Sequence, residues 1–207
     1  MQKKQKSRFG IHKIYLILDM TTKWRKILSK IPFSEMSFVQ LRSKEASDQQ
    51  MFDWGKDLLE ILPSDITLIV NDRVDVARRL GVGIHLGMED MNPKKAREIL
   101  GESVTIGMTI HDRLDLAEEY ASYINYVGVG PVFQTQTKKD TKAVLGIKKL
   151  ANITEKSPVP VVAIGGINAD NCKEVWNTEV EQIAVCSAIM KAEDPKEATI
   201  ALKRRIG

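Results

Sequence analysis

Cysteine is scarce: it occurs twice in 207 residues, at Cys172 and Cys186. The two thiols form no CxxC pair, and the three histidines are too scattered for a zinc site. Both thiols are expected to be free, in a reducing cytoplasm. Long apolar runs are missing as well. The run near the N-terminus spans Ile14 to Leu18 and ends at Asp19, too short for a signal h-region or a membrane span. Residues 1–12 therefore read as a basic tail before a first buried strand, and residues 13–207 as the folded domain. No linker, low-complexity segment or internal repeat divides the chain. Nor does one sign of charge dominate, since 31 basic residues meet 27 acidic ones for a net charge of +4. That balance suits a local site for a small anion better than a nucleic-acid interface. Neither a nucleic-acid nor a membrane partner is expected, and a homo-oligomer is left open.

What is present is a period. With 43% hydrophobic and 28% charged residues, the chain is globular in composition. Short apolar runs recur: IYLIL (14–18), SFVQL (37–41), ITLIV (66–70), GIHL (83–86), VTIGM (104–108), INYVGVG (124–130), VPVVAIG (159–165) and EQIAVCS (181–187). They lack strict alternation, as strands covered on both faces do. Helical patterns separate them. Met51, Trp54, Leu58 and Leu59 share one face; Asp72 caps a helix ended by Gly81; Asn92-Pro93 opens one closed by Gly101. Asp112, then Asn168 or Asp170, start others, one begins near Gly146, and Asp194-Pro195 opens the last. Eight strand–helix units without a break predict a single (β/α)8 TIM barrel; a doubly wound open sheet is the runner-up.

In a barrel the chemistry lies where strands end. After the second run, Gln40, Arg42 and Lys44 project to one side, a costly cluster unless an anion balances it. After the third come Asn71 and Asp72, which taken alone read as a helix cap. After the fourth come Glu89 and Asp90, with His85 read as a packed, hydrogen-bonded histidine. Acids from separate strands beside cations suit magnesium and diphosphate. Thr109 and His111 follow the fifth run, and GPVFQTQTKKDTK (130–142) follows the sixth. Gly165 and Gly166 follow the seventh, and Ser187 follows the eighth, where backbone N–H groups can approach a phosphate. No strand start carries a comparable cluster.

The motifs VQLRSK (39–44), NDRVDVA (71–77), GIHLGMEDM (83–91), GVGPVFQTQTKKD (128–140), VVAIGGIN (161–168) and VCSAI (185–189) resemble the thiamine-phosphate synthase (thiamine-phosphate pyrophosphorylase) family, in order and over all but the first dozen residues. The resemblance implies a transferase that joins 4-amino-5-hydroxymethyl-2-methylpyrimidine diphosphate to 4-methyl-5-(2-hydroxyethyl)thiazole phosphate, or its carboxylate. It implies Mg²⁺ as cofactor and thiamine monophosphate and diphosphate as products. By position, Gln40, Arg42, Lys44 and Asn71 would hold the pyrimidine diphosphate, and Asp72 and Asp90 the Mg²⁺. Thr109 would sit at the pyrimidine and Lys138 would grip the departing diphosphate, the two catalytic positions. Thr135, Gln136, Thr137, Gly166, Cys186 and Ser187 would hold the thiazole phosphate.

Such chemistry needs no enzyme nucleophile. Diphosphate leaves a carbon on an electron-rich aminopyrimidine, so the cation is delocalised; leaving-group stabilisation and an aligned thiazole nitrogen suffice. Four departures stand out: Thr109 replaces the family's usual Ser, Met88 a frequent Gln, Gln136 the middle of a TST-type triplet, and NTEVEQ (177–182) a Gly-Ala-rich turn. The alternatives are a thiazole tautomerase using a base such as His111, a non-catalytic regulatory barrel, and a phosphosugar isomerase. None needs the Gln40/Arg42/Lys44 set together with Asp72, Asp90 and Lys138.

Overall fold

A computed structural model describes residues 12–20, 24–135 and 143–207. Eight parallel strands close into one barrel in sequence order: β1 (Ile14–Asp19), β2 (Met36–Arg42), β3 (Thr67–Asn71), β4 (Gly83–Leu86), β5 (Ile106–Thr109), β6 (Tyr126–Val129), β7 (Val161–Ile164) and β8 (Gln182–Val185). β8 pairs with β1 through Ile14 and Ile183. All eight apolar runs are strands, and the open-sheet alternative falls.

Nine α-helices are described: α1 (Trp24–Leu28), α2 (Asp48–Ile61), α3 (Val74–Leu80), α4 (Pro93–Leu100), α5 (Leu114–Tyr120), α6 (Gly146–Lys156), α7 (Cys172–Trp176), α8 (Ser187–Met190) and α9 (Pro195–Ile206). Several ends follow the expected chemistry. Asn92 accepts from the Lys94 N–H with Pro93 in the first turn, and Asp194 accepts from the Lys196 and Glu197 N–H groups. Each such cap contributes about 1 kcal/mol. Gly81 ends α3 in the left-handed region at φ 68.

Other expectations are corrected. Arg73, not Asp72, occupies the N-cap of α3, because Asp72 is itself left-handed at φ 64 and lies before it. Arg113, not Asp112, occupies that of α5. α7 starts after Asn171; Asn168 instead accepts from the Asp170 N–H in the turn ahead of it. Leu59 is 45% exposed, whereas Met51 and Leu58 bury the inner face of α2. α1 and α8 are too short to show a helical period in sequence.

Alternation along the strands makes two cores. Leu16, Leu18, Val39, Leu41, Val70 and Leu86 face outward under the helices. Tyr15, Ile17, Phe38, Ile69, Tyr126, Val162 and Ala184 face the lumen. Each fully buried aliphatic of this kind contributes about 1.5–3 kcal/mol in transfer free energy. The lumen is filled, so any site must lie on its C-terminal rim.

Candidate active site

β1 and β2 bring their last residues together. Asp19 and Arg42 are register partners, and Arg42 Nη1 donates to Asp19 Oδ1 over 3.3 Å. The Arg42 side chain is only 11% exposed, against 38% for Asp19. A guanidinium so far withdrawn from water needs counter-charge, which Asp19 begins to supply and an anionic ligand would complete. Lys44 stands exposed in the turn between β2 and α2. That turn is braced by Arg73, which donates to the Ala46 carbonyl and pairs with Asp48. One arginine thus ties the Lys44 turn to the turn carrying Asn71 and Asp72.

Asn71 ends β3 half-buried, and Asp72 is exposed with its N–H donating to the His85 carbonyl at 2.9 Å. Asp90 is exposed after β4, its Oδ2 accepting from the Gly87 N–H at 2.5 Å. Two solvent-facing carboxylates on neighbouring strand ends are hard oxygen donors. They fit Mg²⁺, which takes one or two carboxylates and completes its shell with water and substrate phosphate. Among the described residues no three metal-ligating side chains cluster, so a metal here would depend on substrate oxygens.

Below this rim a polar chain crosses the lumen. Gln40, 3% exposed, donates from Nε2 to Tyr15 Oη at 2.7 Å. Tyr15 Oη lies 2.9 Å from Tyr126 Oη, and Tyr126 Oη 3.0 Å from His85 Nδ1. His85 Nε2 lies 2.8 Å from Thr109 Oγ1. Burial pushes both phenols well above their ordinary pKa, so both keep their protons. Thr109 is the last residue of β5 rather than the first after it, and it is half-buried. His85 is hydrogen-bonded as expected.

The other side of the rim is built from backbone. Gly165 and Gly166 follow β7 with φ 101 and 68, and a Cβ on Gly166 would stand 2.5 Å from the Gln134 carbonyl oxygen. The loop after β6 is pressed onto them: Val132 and Phe133 N–H groups donate to Ile164 and Gly165 carbonyls at 2.9 and 3.0 Å. Leu145 and Gly146 N–H groups return to the Pro131 and Val132 carbonyls, closing the loop's stem. The described part of its first arm ends at half-buried Thr135; Gln136, Thr137 and Lys138 lie outside the described residues. Cys186 and Ser187 sit where β8 meets α8, both half-buried. Burial raises the Cys186 thiol, and neighbouring Asp19 raises it further.

Asp19, Tyr15 and Tyr126 are the rim and lumen residues that sequence reasoning passed over. Their signal was a polar group on the inward phase of an apolar run, visible only once that phase is known.

The thiamine monophosphate synthase family profile matches residues 14–189. A thiamine-phosphate synthase of Leptospira biflexa is 38% identical over 205 residues, covering 94% of this chain and 98% of that protein. One of Clostridium botulinum is 35% identical over 193 residues, 90% of this chain and 94% of that one. A thiamine phosphate pyrophosphorylase structure from Pyrococcus furiosus superposes with TM-score 0.82 at 36% identity, covering 94% and 95% of the two chains. A 3-hexulose-6-phosphate synthase structure, at TM-score 0.72 and 17% identity, shares the fold. With a matching profile over most of its length and relatives above one-third identity, the chain belongs to the thiamine monophosphate synthase family of transferases.

Proposed function

We propose that the protein joins 4-amino-5-hydroxymethyl-2-methylpyrimidine diphosphate to 4-methyl-5-(2-hydroxyethyl)thiazole phosphate, or its carboxylate, giving thiamine monophosphate and diphosphate in a Mg²⁺-dependent reaction. The observation that carries this reading is the division of the rim. Arg42 and Lys44 with Asp72 and Asp90 occupy the β2–β4 side, and the Gly165–Gly166 and Cys186–Ser187 backbone the β7–β8 side. One side suits a metal-bound diphosphate, the other a monophosphate anchor. Fold relatives with phosphate ligands alone would need only the second.

In this reading Arg42, Lys44 and Lys138 hold the diphosphate and stabilise charge as it departs. Asp72 and Asp90 would hold Mg²⁺, which when bound neutralises the leaving oxygens. Thr109 borders the pyrimidine, with Gln40 and Asn71 nearby. Thr135, Gln136 and Thr137 contact the thiazole, whose phosphate rests on Gly166, Cys186 and Ser187. The pinned stem of the β6 loop supports this, since it holds Phe133 and Gln134, the two residues before Thr135, against the β7 end. Burial of the reacting atoms between the two anchors supplies alignment, and no covalent step on the protein is needed.

The test is direct. Purified protein with both substrates and Mg²⁺ should release diphosphate and form thiamine monophosphate, and chelation should stop it. Saturating substrates without product would sink the reading. Lys138→Ala should slow turnover by about 100-fold or more with unfolding unchanged, the usual scale for a lost charge-stabilising donor. The thiazole tautomerase alternative is checked in the same run, by thiazole phosphate isomerisation without the pyrimidine.

A further inference from the structure

The lumen chain has a direction. Among the described residues, Tyr15 Oη has two hydrogen-bond partners, Gln40 Nε2 and Tyr126 Oη. It accepts from the amide, so its single proton goes to Tyr126 Oη. Reversal would strand a buried hydroxyl without an acceptor. Tyr126 Oη, accepting from Tyr15, has its own proton to give, and His85 Nδ1 stands 3.0 Å away as the acceptor the relay assigns to it. A neutral imidazole accepting at Nδ1 carries its hydrogen on Nε2, and that hydrogen goes to Thr109 Oγ1. The proton of Thr109 is left over, at the half-buried end of the chain nearest the rim.

Two glycines make room for this geometry. A Cβ on Gly107 would stand 2.0 Å from Tyr126 Cζ, and one on Gly128 3.2 Å from His85 Cε1. The Tyr126 and His85 rings stack at 5.5 Å between centroids, 24° apart in plane, which fixes the imidazole's tilt.

We propose that Tyr15, Tyr126 and His85 are positioning residues whose one-way relay holds His85 as the Nε2–H tautomer and commits Thr109 to act as a hydrogen-bond donor toward a ring nitrogen of the aminopyrimidine. The role at the pyrimidine rests on the synthase reading above; the direction of the relay does not. A ring nitrogen is an acceptor only, so a donor at Thr109 suits it. The threonine's extra methyl leaves that donor in place.

The test is a two-bond ¹H–¹⁵N correlation spectrum of the full chain labelled with ¹⁵N-histidine, at pH 8, with the His85 signals assigned by their loss in His85→Gln. The expected pattern is protonated Nε2 and bare Nδ1. Protonated Nδ1, or an imidazolium, overturns the relay. In Tyr126→Phe, His85 should shift toward mixed tautomers; an unchanged spectrum also overturns it. Kinetics read the other end. Tyr126→Phe and Thr109→Val should raise KM for the pyrimidine diphosphate about tenfold, the scale of one lost hydrogen bond, and leave KM for the thiazole phosphate unchanged. Thr109→Ser should restore the parental value. Equal changes in both KM values would mark a packing role and defeat the proposal. Should the parent form no thiamine monophosphate, the synthase reading falls, while the tautomer spectrum still decides the relay.

Discussion

Tyr126 lays its phenol over Gly107 on the neighbouring strand, so closely that a methyl group on Gly107 would overlap the ring, with 2.0 Å left to Cζ. The two residues are register partners across β5 and β6, and the missing side chain of one is the space occupied by the other. Gly107→Ala should therefore lower the unfolding free energy by about 1–3 kcal/mol, the usual cost of overpacking a close-packed core. Urea denaturation reads it directly. An unchanged midpoint would show that the ring has room to move and that the lumen is looser than its geometry implies.

Alkaline pH should expose the buried phenols. Burial holds Tyr15 and Tyr126 well above the ordinary tyrosine value in the folded chain. The folded state then binds protons that the unfolded state releases, so stability falls as pH rises. The contribution is whole below about pH 10, where unfolded tyrosines ionise, and is lost progressively above it. Tyr15 should cost about 1.4 kcal/mol by pH 11. Tyr15→Phe removes one such group. Its stability deficit against the parent should narrow by that amount between pH 8 and pH 11, since lysine and cysteine effects cancel in the difference. A constant deficit would mean that Tyr15 is not held protonated by the fold.

Asp19 reaches across the closure of the barrel to Cys186. Burial raises that thiol, and the carboxylate adds to the rise because a negative neighbour disfavours thiolate. Asp19→Asn keeps the shape and removes the charge, so the thiol should ionise more readily. The pH midpoint for alkylation of Cys186 by iodoacetamide, followed by peptide mass spectrometry, should fall. Cys172, wholly buried, serves as the internal control. An identical midpoint would separate Asp19 from the β8–α8 junction electrostatically.

The barrel was legible because a parallel strand covered on both faces is a bare apolar run, and each of the eight stands between turn signals. Helices with strong ends were legible for the same local reason: Asn92-Pro93 and Asp194-Pro195 state their caps within three residues. Asp72 misled because Asp is both a good cap and tolerant of the left-handed region, and the structure uses the second property. Arg42, Lys44, Asp72 and Asp90 were readable from their places after the runs, whereas Asp19 at the end of the first run was not. The lumen chain was not. Tyr15, Gln40, His85, Thr109 and Tyr126 come from five strands, and only closure of β8 onto β1 and the size of the lumen decide that they meet.

The turn from α7 to β8 carries a local misfit. Glu179 is exposed and held at φ 62 where its N–H donates to the Trp176 carbonyl at 3.0 Å. A side chain in that region costs about 1–2 kcal/mol, and glycine avoids the cost while adding about 0.5–1 kcal/mol of chain entropy to be lost on folding. Glu179→Gly should thus stabilise the fold by about 0.5–1 kcal/mol, or roughly 1–4 °C in Tm for a chain of this size. Glu179→Ala is the matched control. It removes the same carboxylate but keeps the Cβ, so it should give no gain. If Ala stabilises as much as Gly, the benefit comes from removing charge beside Glu181, not from the backbone. The turn lies at the opposite end of the barrel from the rim, so neither substitution should alter turnover.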